Sequence, residues 1–212
     1  MIVRASRDLE AGTELTISYH QPDPRETKEC QESLAEWGFE CNCTICEEKM
    51  ATADTVVEER DKLTEQLEQI YRGGQPLNTD KCEELIEALD KTYSRPVSEV
   101  PHILASIHYL SLVEAYSVRN SMPECIQAVG KLLTGFGFVV VGADNTPESF
   151  KVVKWGFLDD LVIESFIHAR NSFVVLGALG DAEQAEKYAK IAYKVLVGED
   201  TSFEATHGRQ GG

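Results

Sequence analysis

The sequence predicts a mostly α-helical protein with a short β segment at its start and a cysteine-rich segment before the helices. Apolar residues recur at helical spacing from residue 51 onward, whereas the chain alternates between apolar and polar residues just before residue 20. These two periods indicate helices and a half-buried strand, respectively. A cluster of three cysteines separates them. We therefore divide the chain into three segments, residues 1–20, 21–50 and 51–212.

The β segment is predicted from residues 1–20. The run from Leu15 to Tyr19 places apolar side chains at every second position, with hydroxyl side chains between them. Ala11 and Gly12 would supply the turn from an earlier strand that begins near Ile2. Two short strands are marginally stable by themselves, so we expect this segment to pair with further structure.

Residues 21–50 contain a Pro-rich turn, a predicted short helix around the run CQESLAEW, and the motif C-x-C-x-x-C. In an extended segment, residues two apart face the same side, so Cys41 and Cys43 can point to one place. A turn through Thr44 and Ile45 would bring Cys46 back to that place. Three adjacent thiolates repel one another unless a cation is present, and thiolates at this spacing are typical of zinc sites. The motif therefore predicts bound zinc.

A structural zinc ion needs four ligands, and the motif supplies three. Cys82 fits an apolar position on a helix, and Cys125 fits a small buried residue, as free cysteines often are. His20 could also serve, but a lone histidine after a strand is more often a surface residue. Cys30, on the short helix beside the motif, is the strongest internal candidate, although none of the four fits well.

The segment from residue 51 onward is predicted to be helical throughout. A first stripe from Val56 to Ile70 ends at Gly73-Gly74, and a second helix, capped by Asn78 or Thr79, carries Cys82, Leu85, Ile86, Leu89 and Tyr93. Further helices are predicted to open at Pro101 and Pro123 and at Pro147-Glu148, the last running to about residue 178 with a break near Trp155-Gly156. A final helix follows the turn Gly180-Asp181 and closes at Gly198, and the remaining tail is expected to fray.

Small residues in the last predicted helix pair resemble the packing positions of tetratricopeptide-type helix pairs. They include Gly177, Gly180, Ala185, Ala189 and Ala192. We therefore predict that residues 51–212 form a helical array of tetratricopeptide-like character.

Composition restricts the partners. The 212 residues carry 36 Asp and Glu against 20 Lys and Arg, a formal charge of −16, which disfavours direct binding to nucleic acid. No apolar run is long enough to cross a bilayer, and the start of the chain lacks the layout of a signal peptide. We expect no membrane partner and an intracellular location, in the nucleus or the cytoplasm or both. In that setting a metal site is favoured over disulfides.

Two runs together, VRASRDLEAGTELTISYH at 3–20 and SLAEWGFECNCTIC at 33–46, carry a family resemblance. They resemble the C-terminal part of a SET-domain protein-lysine methyltransferase of the SET-and-MYND type, including its fungal relatives. Residues 1–20 would then be the end of the SET domain, and residues 21–50 the zinc-binding post-SET segment. The combination of Gly12, Glu14-Leu15, the Ile-Ser-Tyr triplet at 17–19 and the cysteine ending is specific, although either half alone would be weak.

The resemblance implies functions for individual residues. Tyr19 matches the catalytic tyrosine, which lies where the lysine channel meets the methyl group of S-adenosylmethionine and so also contacts the cofactor. Phe39 matches an aromatic residue beside the adenine of that cofactor. Zinc in this family is held by three post-SET cysteines, here Cys41, Cys43 and Cys46, and by a fourth from an upstream Asn-His-x-Cys stretch. The partner implied is a lysine-bearing protein or peptide, such as a histone.

The Asn-His-x-Cys stretch and the Gly-rich cofactor segment of the family have no counterpart in these 212 residues. We therefore expect the chain by itself to be inactive as a methyltransferase. Two alternatives stay open at this stage. The chain could be a non-catalytic interaction module, a helical array stapled by a zinc knuckle, or a pseudoenzyme or shortened gene product kept for its interactions.

Overall fold

The computed structural model describes residues 11–12, 28–38, 40–73, 76–144, 148–198 and 201–207, and most of these residues are helical. The helices are α1 (Lys28–Ala35), α2 (Thr44–Ala51), α3 (Asp54–Arg72), α4 (Thr79–Asp90), α5 (Ile103–Ser106), α6 (Tyr109–Val118), α7 (Met122–Gly135), α8 (Asp160–Val175), α9 (Leu179–Val197) and α10 (Phe203–His207). Two strands, β1 (Val139–Val141) and β2 (Lys151–Lys154), lie between α7 and α8. The predicted mostly α-helical fold is confirmed.

Three helical hairpins, α3–α4, α6–α7 and α8–α9, form the larger part of the described structure. The helices of each hairpin pack against each other across a short connection, as antiparallel neighbours do. Contacts of α4 with α6 and of α7 with α8 join the hairpins into a series. One hydrophobic core runs through all three, from Leu67 on α3 to Tyr193 on α9. Tetratricopeptide-like character in this series stays a prediction.

The best-predicted helix is α4, where capping and spacing agree. Asn78 is its N-cap, and its side-chain oxygen accepts a hydrogen bond from the backbone N–H of Lys81 at 3.1 Å. The first four residues of the predicted stripe are buried, and Cys82 and Ile86 are both 0% exposed. The fifth, Tyr93, is half-buried and lies beyond the end of the helix at Asp90. Upstream, α3 ends at Arg72 with Gly73 as its C-cap, so the predicted stop at Gly73-Gly74 is confirmed at its first residue.

The prediction of a helix from Pro147-Glu148 onward is wrong for the first part of that stretch. β2 pairs antiparallel with β1, with Val140 opposite Val152 and Val141 opposite Lys151. Tertiary contacts select the strand, because the backbone N–H of Phe150 donates to Asp181 at 2.9 Å and that of Val152 donates to the Tyr188 hydroxyl at 3.1 Å. The helix α8 begins only after Asp159, whose side chain caps it.

Two further expectations about the C-terminal part need correction. The turn before α9 lies at Gly177, whose φ of 75° requires glycine-like freedom, and Gly180 is already inside the helix. Residues 201–207 of the tail do not fray, because α10 buries Phe203 to 1% exposure against the ring of Tyr193, 5.4 Å away. Closure of α9 at Gly198, with φ of 92°, is confirmed.

The helix predicted from Pro101 is divided, with α5 and α6 separated by a turn at Ile107 and His108. Of the predicted β segment, Ala11 and Gly12 form a turn, and Gly12 has φ of 91°. The strands expected on either side of that turn lie outside the described residues. None of the helices in the described part combines the length and the low polarity that a membrane span requires.

Candidate metal centre

The three cysteines of the motif come together, and we call Cys41, Cys43 and Cys46 the cysteine clip. Their Sγ atoms all lie within 4.8 Å of one another. Zn–S bonds of about 2.3 Å in a tetrahedron place sulfurs roughly 3.8 Å apart, so a small inward movement suffices to surround one ion. Cys43 is exposed and the other two are half-buried, which leaves the clip open on one side. The donor set therefore fits zinc.

The local backbone differs from the expected turn. Cys43 is the N-cap of α2, with extended φ and ψ of −70° and 157°, and Cys46 lies in the first turn of that helix. The two-residue turn predicted at Thr44 and Ile45 is thus the beginning of a helix, and the backbone N–H of Glu47 donates to the Cys43 carbonyl at 2.9 Å. The helix sets the separation of two of the three sulfurs.

The thiols of the clip perturb one another. Burial alone would raise the pKa of Cys43, but hydrogen bonds from the backbone of Cys46 and from the Cys41 and Cys46 side chains outweigh it and lower that pKa. Burial raises the pKa of Cys46 far above its ordinary value, and the neighbouring thiolates add to that rise. One of three thiols this close can lose its proton easily. Loss of a second or third proton needs a cation nearby to offset the repulsion between the thiolates.

Gln31 holds the first cysteine. From α1 its side-chain amide donates to the Cys41 carbonyl at 3.0 Å and accepts from the Cys41 backbone N–H at 3.2 Å. This two-point contact fixes the orientation of the peptide that carries Cys41. It also ties α1, whose Leu34 is buried to 5% exposure, to the clip.

An ion pair between the buried Glu48 and the half-buried Arg95 holds the other two cysteines through α2. Glu48 is 3% exposed, and its carboxylate accepts hydrogen bonds from the Ser94 backbone N–H at 3.1 Å and from Arg95 Nε at 3.1 Å. The Ser94 hydroxyl donates to the same carboxylate. Arg95 also donates from Nη2 to the Thr44 carbonyl at 2.8 Å, in the residue after Cys43.

The loop that carries Ser94 and Arg95 is itself fixed by His102. The ring of His102 contacts Asp90 Oδ1 at 2.7 Å through Nδ1 and the Arg95 carbonyl at 2.9 Å through Nε2. It stacks on the ring of Tyr93, with centroids 3.9 Å apart. The guanidinium of Arg60 covers the Tyr93 ring at 4.2 Å. A chain of polar and aromatic contacts therefore runs from α3 and α4 to the helix that carries the clip.

The other predicted site residues fall into two groups. Cys82 and Cys125 are buried to 0% exposure in the helical core, and Cys125 Sγ donates to the Val113 carbonyl, so neither closes the metal site. The predicted catalytic and cofactor-binding residues Tyr19 and Phe39, the candidate ligand His20 and the side chain of Cys30 lie outside the described part of the chain.

Sequence reasoning missed the residues that hold the clip. Glu48 stands in the run CEEKM, where an acidic residue is ordinarily exposed, and its partners lie 46 and 47 residues further along the chain. Gln31 contacts a residue ten positions away across a turn. Periodicity gives no sign of such pairs, because they depend on how the segments fold together.

No known protein-family profile matches the chain. A small cysteine centre attached to a helical array is the class of structure that the described residues define. In sequence, the chain is 30% identical over 212 aligned positions to a Gibberella zeae protein named "Methyltransferase". The alignment covers 95% of this chain and 28% of that protein, so the chain spans less than a third of the relative's length. This homology supports the methyltransferase part of the resemblance seen in the sequence.

Proposed function

We propose that the chain is the C-terminal part of an S-adenosylmethionine-dependent protein-lysine methyltransferase of the SET-and-MYND type. The observation that carries this proposal is the relationship to a protein named methyltransferase across almost the whole chain. The cluster of three sulfurs at the positions of the family's post-SET cysteines supports it independently. The substrate would be a lysine side chain in a protein or peptide, such as a histone.

In this proposal, Cys41, Cys43 and Cys46 hold a structural zinc ion together with a fourth ligand outside the described residues. The ion would supply a cross-link that fixes the segment between α1 and α2, a region too small to build a core of its own. Gln31 orients the Cys41 peptide, and Glu48 and Arg95 orient α2. The chain's own residues thus preform most of the geometry that zinc would complete.

Catalysis is proposed for Tyr19, which would orient the lysine amine toward the cofactor's methyl group, with Phe39 packing beside the adenine. Methyl transfer needs a neutral amine, because an ammonium has no lone pair. Removal of the lysine side chain from water lowers its pKa and so favours the neutral form. We further propose that the 212 residues alone do not turn over, since the cofactor-binding motifs of the family are absent from them.

Methyl transfer from radiolabelled S-adenosylmethionine to histones and lysine-rich peptides tests the activity. It is measured for the chain alone and for the chain extended by the polypeptide encoded in frame before Met1. We expect incorporation only with the extension, and its loss with Tyr19→Phe. Tyr116→Phe is the matched control, because Tyr116 lies in the helical array, where its hydroxyl contacts Glu83 at 3.5 Å, and is not one of the predicted site residues. No incorporation by any form would contradict the proposal and favour an interaction module.

The metal is tested separately, by the zinc content of purified protein and by competition with a chromophoric chelator. We expect weak or substoichiometric binding by the chain, abolished by Cys43→Ser and retained in Cys125→Ala. The control removes a sulfur that lies in the core, hydrogen-bonded to Val113. Equal zinc binding by both variants would contradict the assignment of the clip. Tight one-to-one binding that is lost with Cys30→Ser would identify an internal fourth ligand.

A further inference from the structure

We infer that Glu48 and Arg95 are positioning residues of the metal site, through which the helical array sets the geometry of the cysteine clip and is in turn stabilised by the metal. This inference rests on the proposed zinc site. It concerns residues that make no contact with the ion themselves. Its basis is the placement of one short helix, α2, between the clip and the array.

The first step is that α2 belongs to both parts. Cys43 caps the helix and Cys46 lies in its first turn, while Glu48 lies only two residues further along. At about 1.5 Å rise per residue, Glu48 is roughly 3 Å along the axis from Cys46. A rotation or shift of α2 therefore moves both the sulfur of Cys46 and the carboxylate of Glu48.

The second step is that the carboxylate fixes α2 in rotation. Glu48 is 3% exposed and accepts from three donors, namely the Ser94 N–H, the Ser94 hydroxyl and Arg95 Nε, at 3.0 to 3.1 Å. Hydrogen bonds to a buried charge are strong and directional, and turning away would leave that charge without partners. Ile45 on the same helix packs against the hydrophobic core.

The third step is that Arg95 also fixes α2 along its axis. The guanidinium contacts two levels of the helix, Glu48 at 3.1 Å and the carbonyl of Thr44 at 2.8 Å. Thr44 lies directly after Cys43, so this contact reaches the backbone between two ligands. A planar guanidinium can make both contacts at once, whereas a lysine ammonium on a flexible stem cannot reproduce that fork.

The fourth step is the connection to the array. The backbone carbonyl of Arg95 accepts from His102, which also contacts Asp90 at the end of α4. The array holds Arg95 in place, and Arg95 in turn holds α2 in place. Part of the conformational entropy that must be lost to assemble the clip is therefore lost before metal binds. By thermodynamic reciprocity, metal that fixes the clip must stabilise the docking of α2 on the array.

Cobalt(II) titration of the full 212-residue chain tests this inference, since thiolate-to-cobalt charge-transfer absorption reports the sulfurs directly. Glu48→Gln keeps the shape of the side chain and removes its charge. We expect it to bind cobalt about 10-fold more weakly, the size of effect typical of residues that orient metal ligands. Glu47→Gln is the matched control, because its carboxylate is half exposed and 3.8 Å from Arg95 Nη1, and we expect a change of less than about twofold.

Arg95→Lys is the second variant, for use if far-UV circular dichroism shows that Glu48→Gln has lost helix. We expect it to keep the helix content and still to weaken cobalt binding several-fold. A second readout is the thermal midpoint, which cobalt should raise in the parent chain and raise less in either variant. If Glu48 only stabilised the fold and did not affect the metal site, cobalt would raise the thermal midpoint by the same amount in the parent chain and in the variants.

The outcomes separate the two proposals. Absence of any charge-transfer band in the parent chain would overturn both the metal site and this inference. A band that disappears with Cys43→Ser but keeps its affinity in Glu48→Gln and Arg95→Lys would overturn the inference and leave the metal site standing. Weaker binding in these two variants, with Glu47→Gln unchanged, supports it.

Discussion

Replacement of Gly135 by alanine should destabilise the protein at the contact between α5 and α7. Gly135 is the last residue of α7, and a Cβ at this position would overlap the hydroxyl of Ser106 and lie 2.5 Å from its Cβ. Ser106 is 2% exposed, and its hydroxyl donates to the His102 carbonyl at 2.8 Å. The Gly135 carbonyl accepts from the His102 N–H at 2.8 Å. The new methyl group would therefore have to displace a buried side chain that already makes a hydrogen bond.

The expected change in the free energy of unfolding of Gly135→Ala is the sum of opposing contributions. Alanine in place of a helical glycine gains up to about 1 kcal/mol. Overpacking of a filled core costs about 1 to 3 kcal/mol, and displacement of the Ser106 hydroxyl loses a buried hydrogen bond worth about 1 kcal/mol. The net expectation is a loss of about 2 kcal/mol. For a chain of this size, such a loss lowers the thermal midpoint by about 4 to 8 °C.

A double-mutant cycle followed by urea unfolding isolates the contact. Ser106→Gly removes the side chain that the new methyl group at position 135 would strike, so the double variant should be more stable than the sum of the single effects by at least about 1 kcal/mol. Gly180→Ala is the control, since no atom lies within 4 Å of the point that its Cβ would occupy and stability should not fall. Additivity of Gly135→Ala and Ser106→Gly within about 0.5 kcal/mol would show that the two residues do not touch, and would refute the reasoning.

Three other predictions concern the C-terminal part of the chain. Phe203→Ala should lower the free energy of unfolding by about 3 kcal/mol and speed amide hydrogen exchange in α10, because Phe203 is 1% exposed. Val118→Ala is the control: this position is 81% exposed, and stability should change by less than about 0.5 kcal/mol. Gly198→Ala should cost about 1 kcal/mol in urea unfolding, because φ is 92° there, and an unchanged midpoint would argue against that C-cap. Partial desolvation, and then the charge of Glu114, raises the pKa of the largely exposed Glu164, so its ionisation begins to oppose folding above the unfolded-state pKa and does so fully above the raised one. Glu164→Gln should therefore raise the thermal midpoint at pH 7. Below about pH 4 it should leave the midpoint unchanged, because the carboxyl is then protonated in both the folded and the unfolded state. An equal shift at both pH values would contradict this prediction.

The features that could be predicted from the sequence are those decided within a few residues. The cap at Asn78 and the stripe from Cys82 to Leu89 specify α4 locally, and both are found in the structure. The spacing of the clip predicted that its sulfurs converge, because two of them belong to one short turn of chain. Local chemistry was sufficient in both cases.

The features that could not be predicted depend on residues far apart in the chain. Residues 151–154 form a strand because Val152 donates to a hydroxyl 36 residues away on α9. Residues 201–207 have no repeating pattern in the sequence, yet Phe203 packs them against the ring of Tyr193. From the sequence alone Glu48 would be predicted to lie on the surface, because its partners Ser94 and Arg95 are far along the chain. A single-sequence pattern carries no information about such pairs.

The position of these unpredicted contacts bears on how the clip and the array work together. The array has its own core, whereas the clip offers three candidate ligands among the described residues, one of them exposed, and lies outside that core. A site of this kind holds its ligands in place only if something rigid supports the backbone between them. Arg95, held by His102 and reaching the Thr44 carbonyl, supplies that support from the array side. Loss of the proposed metal should therefore loosen α1 and α2 first, while substitution of His102 or Arg95 should disturb the geometry of the clip without removing any of its sulfurs.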